Sequence, residues 1–270
     1  MARKPVALAN WKMEMTIAES LAFLRRFQTL TGARLAKVQV VLCPPYTALQ
    51  AMALALRDSP IELGVQDLSV AAGGAYTGQI SARLAADAGA RWAQLGHWEL
   101  RRHLGETDDR VNRKLHRALE ADLNPILLIG EPREAEHPVE QNPVRRGAVT
   151  APLALDRQLA SVLADCDAEQ IGRIVFVYEP EWTIGVAEPA PPEHIAAGCR
   201  TIRQWLAAHV DQDTARLVRI AYGGSVTPAY ARDLLALPDL DGLGAGRKGR
   251  DPVAFAELVR LIHQARPWPA

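Results

Sequence analysis

The feature that most constrains this chain is an alternation of short apolar runs with helix-like stretches. Runs rich in Val, Ile and Leu occupy residues 6–9, 38–43, 61–65, 92–95, 125–129, 174–178 and 217–222, with a weaker one around Leu243. Uninterrupted apolar runs of this length suit strands covered on both faces, as in a parallel sheet. Helical spacing links Ile17, Leu21 and Leu24; Val111, Leu115 and Ala118; Ile195, Cys199, Ile202 and Leu206; and Phe255, Leu258 and Ile262. Thr227 before Pro228 marks a helix start, an N-cap followed by proline at the first helical position. Eight strand–helix units in 270 residues match one α/β domain, a single (β/α)8 barrel over 1–270. A doubly wound open sheet is the runner-up, because alternation alone does not fix closure. The polar, proline-bearing stretch 131–152 reads as an enlarged surface loop, since strand–helix texture resumes on each side.

Composition removes several functional classes. Lys and Arg number 31 against 31 Asp and Glu, giving no net charge. That argues against binding driven by phosphate-backbone counterion release and against a polybasic membrane surface. Apolar runs stay far short of a bilayer span, and the N-terminal MARKPVALANWK meets Asn10, Trp11 and Lys12 too early for a signal peptide. Cys43, Cys166 and Cys199 form an odd set without CxxC spacing, so neither a disulfide framework nor a structural zinc site is expected. A reducing cytoplasm is the simplest home. No HxH or HExxH spacing occurs among the seven histidines, and no metal or other cofactor is expected.

In a barrel, reactive groups sit at the C-terminal ends of strands. Those positions read Asn10-Trp11-Lys12, Gly96-His97-Trp98-Glu99, Gly130-Glu131, Tyr178-Glu179-Pro180, Gly223-Gly224-Ser225 and Gly244-Ala245-Gly246. Taken singly, His97 reads as a satisfied core histidine, Glu179 as a strand-end ion-pair partner and Lys12 as a solvated charge. Their recurrence at strand ends favours a shared polar site. Residues 244–249 literally satisfy GxGxxG, but only one helix's worth of chain follows, with no room for the returning strand of a dinucleotide unit. The better reading is a monophosphate cradle in the loops after strands seven and eight, using backbone N–H groups of Gly224, Ser225 and Gly246.

Ordered segments then carry a resemblance: ANWKM at 9–13, CPPYTAL at 43–49, GAYTGQIS at 74–81, LGHWELRRHLGETD at 95–108, IGE at 129–131, YEPEWTIG at 178–185, YGGSV at 222–226 and DGLGAGR at 241–247. Together they resemble the triosephosphate isomerase family nearly end to end. The resemblance implies an aldose–ketose isomerase acting through an enediolate on dihydroxyacetone phosphate and D-glyceraldehyde 3-phosphate. It implies Glu179 as the base, His97 as a neutral donor to the carbonyl and Lys12 as the compensating cation, the family's familiar division of labour. Asn10 is implied to orient the substrate oxygen, Glu99 to support Lys12, and Gly185 to join the phosphate contacts. Residues 180–188 are implied to form a lid, and the loop from Gly73 to Gly78, with Thr77, to reach into a second copy in a homodimer.

The chain also departs from the family pattern. GHWELR stands where GHSERR is usual, so Trp98 replaces a serine and Leu100 an arginine. In the lid, Val186-Ala187-Glu188 replaces Thr-Gly-Lys, making a stiffer and more acidic hinge, and Arg247 stands where a glycine is common. These changes leave a four-carbon ketose phosphate, or a barrel that binds a sugar phosphate without turnover, as alternatives. Trp98 is expected to point away from the pocket and to repack space beside Leu100.

Overall fold

The computed structural model describes residues 3–133 and 151–267. The strands are β1 (Val6–Asn10), β2 (Gln39–Cys43), β3 (Glu62–Val65), β4 (Trp92–Leu95), β5 (Asn124–Ile129), β6 (Val175–Tyr178), β7 (Arg219–Tyr222) and β8 (Gly242–Ala245). They close into a barrel in chain order, every pair parallel, with β1 returning to β8 in the register Val6↔Gly242 to Ala9↔Ala245. Closure excludes the open doubly wound sheet. Most of the loop expected over 131–152 lies outside the described residues.

The uninterrupted apolar runs follow from two buried faces. Val6, Leu8, Val41, Trp92, Ile126, Leu128, Val175 and Val177 fill the barrel interior. Their neighbours Ala7, Val40, Leu42, Ala93, Leu127 and Phe176 pack outward under the helices. Alternate residues of a strand point to opposite faces, so both sets must be apolar. The glycine-rich β8 gave the weakest sequence signal for a steric reason: a Cβ on Gly242 would lie 1.9 Å from the Val6 carbonyl oxygen.

The helices are α1 (Ile17–Thr31), α2 (Tyr46–Ala55), α3 (Ala82–Asp87), α4 (Trp98–Leu104), α5 (Asp108–Glu120), α6 (Ala151–Val162), α7 (Ala168–Gly172), α8 (Pro192–His209), α9 (Gln212–Leu217), α10 (Pro228–Leu235) and α11 (Pro252–Ala265). The stripes on α5, α8 and α11 are buried as their spacing predicts. On α1 the spacing misleads: Ile17 is 46 % exposed, and the buried face is Ser20, Phe23, Leu24 and Phe27. Aromatic contacts decide that rotation, Trp11 to Phe23 at 4.8 Å and Phe27 to Phe255 at 5.2 Å between ring centroids. Thr227 holds the N-cap position of α10 with Pro228 inside it, but its hydroxyl makes no capping bond.

Candidate active site

At the C-terminal mouth of the barrel lies a cavity of about 630 Å³. Leu8, Leu128 and Val177 floor it, and Asn10, Lys12, His97 and Glu179 wall one side. Gly185, Ser225 and Gly246 wall the other. Glu99 and Gly224 stand behind these walls. The N–H groups of Gly185, Gly224, Ser225 and Gly246 find no backbone acceptor among the described residues, which suits them to an anion. Gly224 is also needed for packing, since a Cβ there would meet Thr183 Oγ1 at 2.1 Å and the Tyr222 hydroxyl at 2.4 Å.

Lys12 sits at φ 55°, a left-handed conformation that a lysine holds only where its surroundings impose it. The impositions are visible: its N–H donates to Asn10 Oδ1 (2.8 Å), and its carbonyl accepts from Gln66 Nε2 (2.9 Å). Its ammonium pairs with the Glu99 carboxylate. Burial resists ionisation of Glu99, but the hydrogen bond and the charge from Lys12 help hold its carboxyl below the ordinary range. Gln66 was not singled out from the sequence. Its place after β3 was the available signal.

His97 ends the loop after β4 and caps α4. The N–H of Glu99 donates to its Nδ1 at 3.1 Å, so Nδ1 is an acceptor and the ring proton belongs on Nε2. Burial, with Lys12 adding to it, pushes the His97 pKa down to about 4. The ring is therefore neutral at ordinary pH, with Nε2–H facing Glu179 Oε2 at 3.7 Å. Glu179 is 5 % exposed, and its Oε2 is buried without a hydrogen-bond partner. Burial raises its pKa to about 8 against the opposing pull of Lys12. Once ionised, as it is above about pH 8 in this arrangement, a carboxylate so desolvated and set beside a neutral N–H donor and a lysine can accept a proton from a weak carbon acid.

From the stretch 180–188 expected as a lid, Ile184, Gly185 and Ala187 line this mouth. The Ser225 hydroxyl donates to the carbonyls of Thr183 (2.9 Å) and Val186 (2.8 Å), and Ala190 N–H donates to the Tyr222 hydroxyl at 2.8 Å. Arg247 Nη2 reaches the Val186 carbonyl at 2.8 Å. The residue that departs from the family pattern thus holds the segment that departs with it. Beneath the lid's first turn, Glu131 accepts from the Tyr178 hydroxyl (2.9 Å) and Trp182 Nε1 (2.9 Å) and lies 2.7 Å from His194 Nε2. Burial opposes its charge, yet the bonds from His194 and Trp182 keep its carboxyl low. Gln94, on β4, reaches the cavity with Nε2 buried and unpartnered. Sequence reading missed it because it sits inside an apolar run. Among the described residues, no cluster of three or more His, Cys, Asp and Glu could hold a metal ion, and no helix is long and apolar enough to cross a membrane.

Fold and cavity together define a (β/α)8-barrel enzyme equipped for proton transfer beside an anion cradle. Comparison with known proteins makes this specific. The triosephosphate isomerase family model matches residues 5–262. A triosephosphate isomerase of Symbiobacterium thermophilum is 38 % identical over 98 % of this chain and 99 % of its own. Those of Chloroflexus aurantiacus and Solibacter usitatus are each 37 % identical, over 97 % and 96 % of this chain and 99 % and 100 % of theirs. This chain belongs to the triosephosphate isomerase family.

Proposed function

We propose that this chain interconverts dihydroxyacetone phosphate and D-glyceraldehyde 3-phosphate, with Glu179 as base, His97 as neutral donor and Lys12 as cation. Glu179 takes a proton from the carbon bearing the hydroxyl, and the C–H electron pair becomes the enediolate double bond. The carbonyl oxygen gains the negative charge, which the Nε2–H of His97 and the ammonium of Lys12 stabilise. The hydroxyl proton passes by way of His97 Nε2 to the former carbonyl oxygen, and the same carboxyl returns its proton to the neighbouring carbon, so that a carbonyl stands where the hydroxyl was. Asn10 orients the substrate oxygen, while N–H groups of Gly185, Gly224, Ser225 and Gly246 hold the phosphate. The lid excludes water, and with it the elimination of phosphate to which an exposed enediolate is prone. Neither a metal nor a dinucleotide enters this scheme.

The observation that carries this reading is the buried, unpartnered Oε2 of Glu179 facing a ring nitrogen whose proton the Glu99 N–H assigns. A coupled assay offering both the triose phosphates and a tetrulose phosphate tests it. The expected result is turnover of the trioses with kcat/KM at least about tenfold above the tetrulose, the discrimination usual for one carbon in a fitted pocket. Preference for the tetrulose would move the chain to the four-carbon alternative. Saturable binding without turnover would make it a binding barrel. The names of its relatives favour neither.

The same reading takes 1–270 as one domain, working in the cytoplasm as a homodimer. Its three thiols are free. Met13 is 98 % exposed, and Tyr46 and Tyr76 are also open to solvent. Hydrogen bonds gather their segments on one side of the barrel, from Gln66 to Lys12, from Tyr46 to Asp67 and from Ser69 to Ile80. An exposed apolar face around the loop from Gly73 to Gly78 suits a second copy, into which Thr77 would reach. Light scattering at micromolar concentration is expected to give twice the 29.5 kDa chain mass. A fully active monomer would remove the dimer.

A further inference from the structure

Trp98 does not line the cavity. Its Nε1 donates instead to the main-chain carbonyl of Glu179 at 3.0 Å. The indole is held in turn, because the Arg101 guanidinium lies 5.2 Å from its ring centroid. Arg101 is itself tied to the Gly96 carbonyl (3.1 Å) and to Asp108 (2.6 Å). From the same short helix, Arg102 grips Glu181 through Nε (3.1 Å) and Nη2 (2.6 Å). Helix α4 therefore holds the chain on both sides of Pro180, a residue with no N–H of its own to contribute. The Glu179 carbonyl packs against Gly130, where a Cβ would stand 2.2 Å from its oxygen. On the other edge, Glu179 N–H donates to the Ile129 carbonyl at 2.8 Å. The peptide that follows Glu179 is thus fixed by neighbouring strands and by one side-chain donor, Trp98.

We propose that Trp98 is a positioning residue for the isomerisation: its indole N–H fixes the peptide after Glu179, and so the aim of the Glu179 carboxylate. The inference rests on the reading of Glu179 as the base. Its physical content is a separation of two requirements in one stretch of chain. The stretch of the lid from Thr183 onward, where Ser225 touches its carbonyls at Thr183 and Val186, has to move for substrate to enter and leave. Four residues earlier the base has to stay within a fraction of an ångström of its working place, because a displacement of about 1 Å can cost roughly a hundredfold in rate. A donor on α4, bonded to Glu179 itself, anchors the main chain that carries the carboxylate. Because Trp98 acts on main chain outside the cavity, it should leave substrate affinity alone.

Trp98→Phe tests this, since it keeps a ring under Arg101 and removes the donor. The expected result is a kcat about five- to tenfold lower, the scale of one lost hydrogen bond, with KM within twofold and a melting temperature lowered by no more than about 4 °C. In a Glu179→Asp background the carboxylate is already displaced, and the same substitution should cost less than twofold. Sub-additivity of that kind marks a shared geometric role, which a purely structural tryptophan would not give. An unchanged kcat, a loss confined to KM, or full additivity would overturn the proposal. If Trp98→Phe fails to fold, Trp98→Leu, which also lacks a donor, serves for the same measurements. Failure of the underlying function is a different result, a wild-type chain without triose phosphate turnover.

Discussion

Glu179→Gln is expected to lower kcat by roughly 10³, within the range attributed to a positioned general base. The amide keeps the size of the side chain and cannot take the proton. Titration with glycerol 3-phosphate should give an affinity within a few-fold of wild type, because the N–H cradle around Ser225 and Gly246 is untouched. The same variant should be more stable in alkali. A carboxyl whose pKa rises to about 8 on folding is neutral in the native state where the unfolded chain has already ionised it. The folded state then holds the extra proton, so stability falls as pH rises from the ordinary carboxylate range through about 8. The substituted amide has no charge to desolvate. The melting temperature of the variant should exceed wild type by at least about 2 °C at pH 9, with the gap closing near pH 5. Equal turnover would remove Glu179 from the mechanism, and equal melting at pH 9 would show that its carboxylate is not desolvated.

Lys12→Met should lower kcat/KM by roughly 10² to 10³, the usual cost of deleting a group that stabilises developing negative charge. Methionine preserves the aliphatic stem and meets the same left-handed backbone at position 12. Stability should change little. The Lys12 and Glu99 side chains are 34 % and 37 % exposed, and ion pairs of that exposure contribute about 1 kcal/mol or less. Loss of rate without loss of fold is thus the signature of Lys12 as a working cation. A kcat/KM within threefold of wild type would assign it to Glu99 alone, as a surface ion pair.

Seven of the eight strands were legible to within two residues because both faces are buried, which turns a strand into a visible apolar block, while β8 was marked only around Leu243. Closure was not legible. It depends on how near β8 can approach β1 at Gly242, a steric fact that leaves only a glycine in the sequence. Lys12, His97 and Glu179 could be read because each polar residue breaks an apolar run at its end. Gln94 breaks one from within, and Gln66 acts on the backbone of another strand's loop, so neither pattern announced its place. The indole of Trp98 was legible as a departure and as pointing away from the pocket. The partner beside it is Arg101 stacked on its ring, with Leu100 only half-buried. Its bond to Glu179 and the reach of Arg247 to Val186 join residues far apart in the chain, and only the fold brings them together.

The pairing of the first strand with the last also bears on how the molecule is made. Arg3 bonds Asp241 at 2.7 Å, Trp11 Nε1 reaches the Gly249 carbonyl at 2.8 Å, and Phe27 stacks on Phe255. Until β8 has left the ribosome, β1 and β7 are both bare edges, with ladders of unpaired N–H and C=O groups. Such edges are templates for other chains. Of the eight strands β1 is thus the first made and waits for the last to find its second neighbour, so a nascent chain stays exposed to aggregation until β8 emerges.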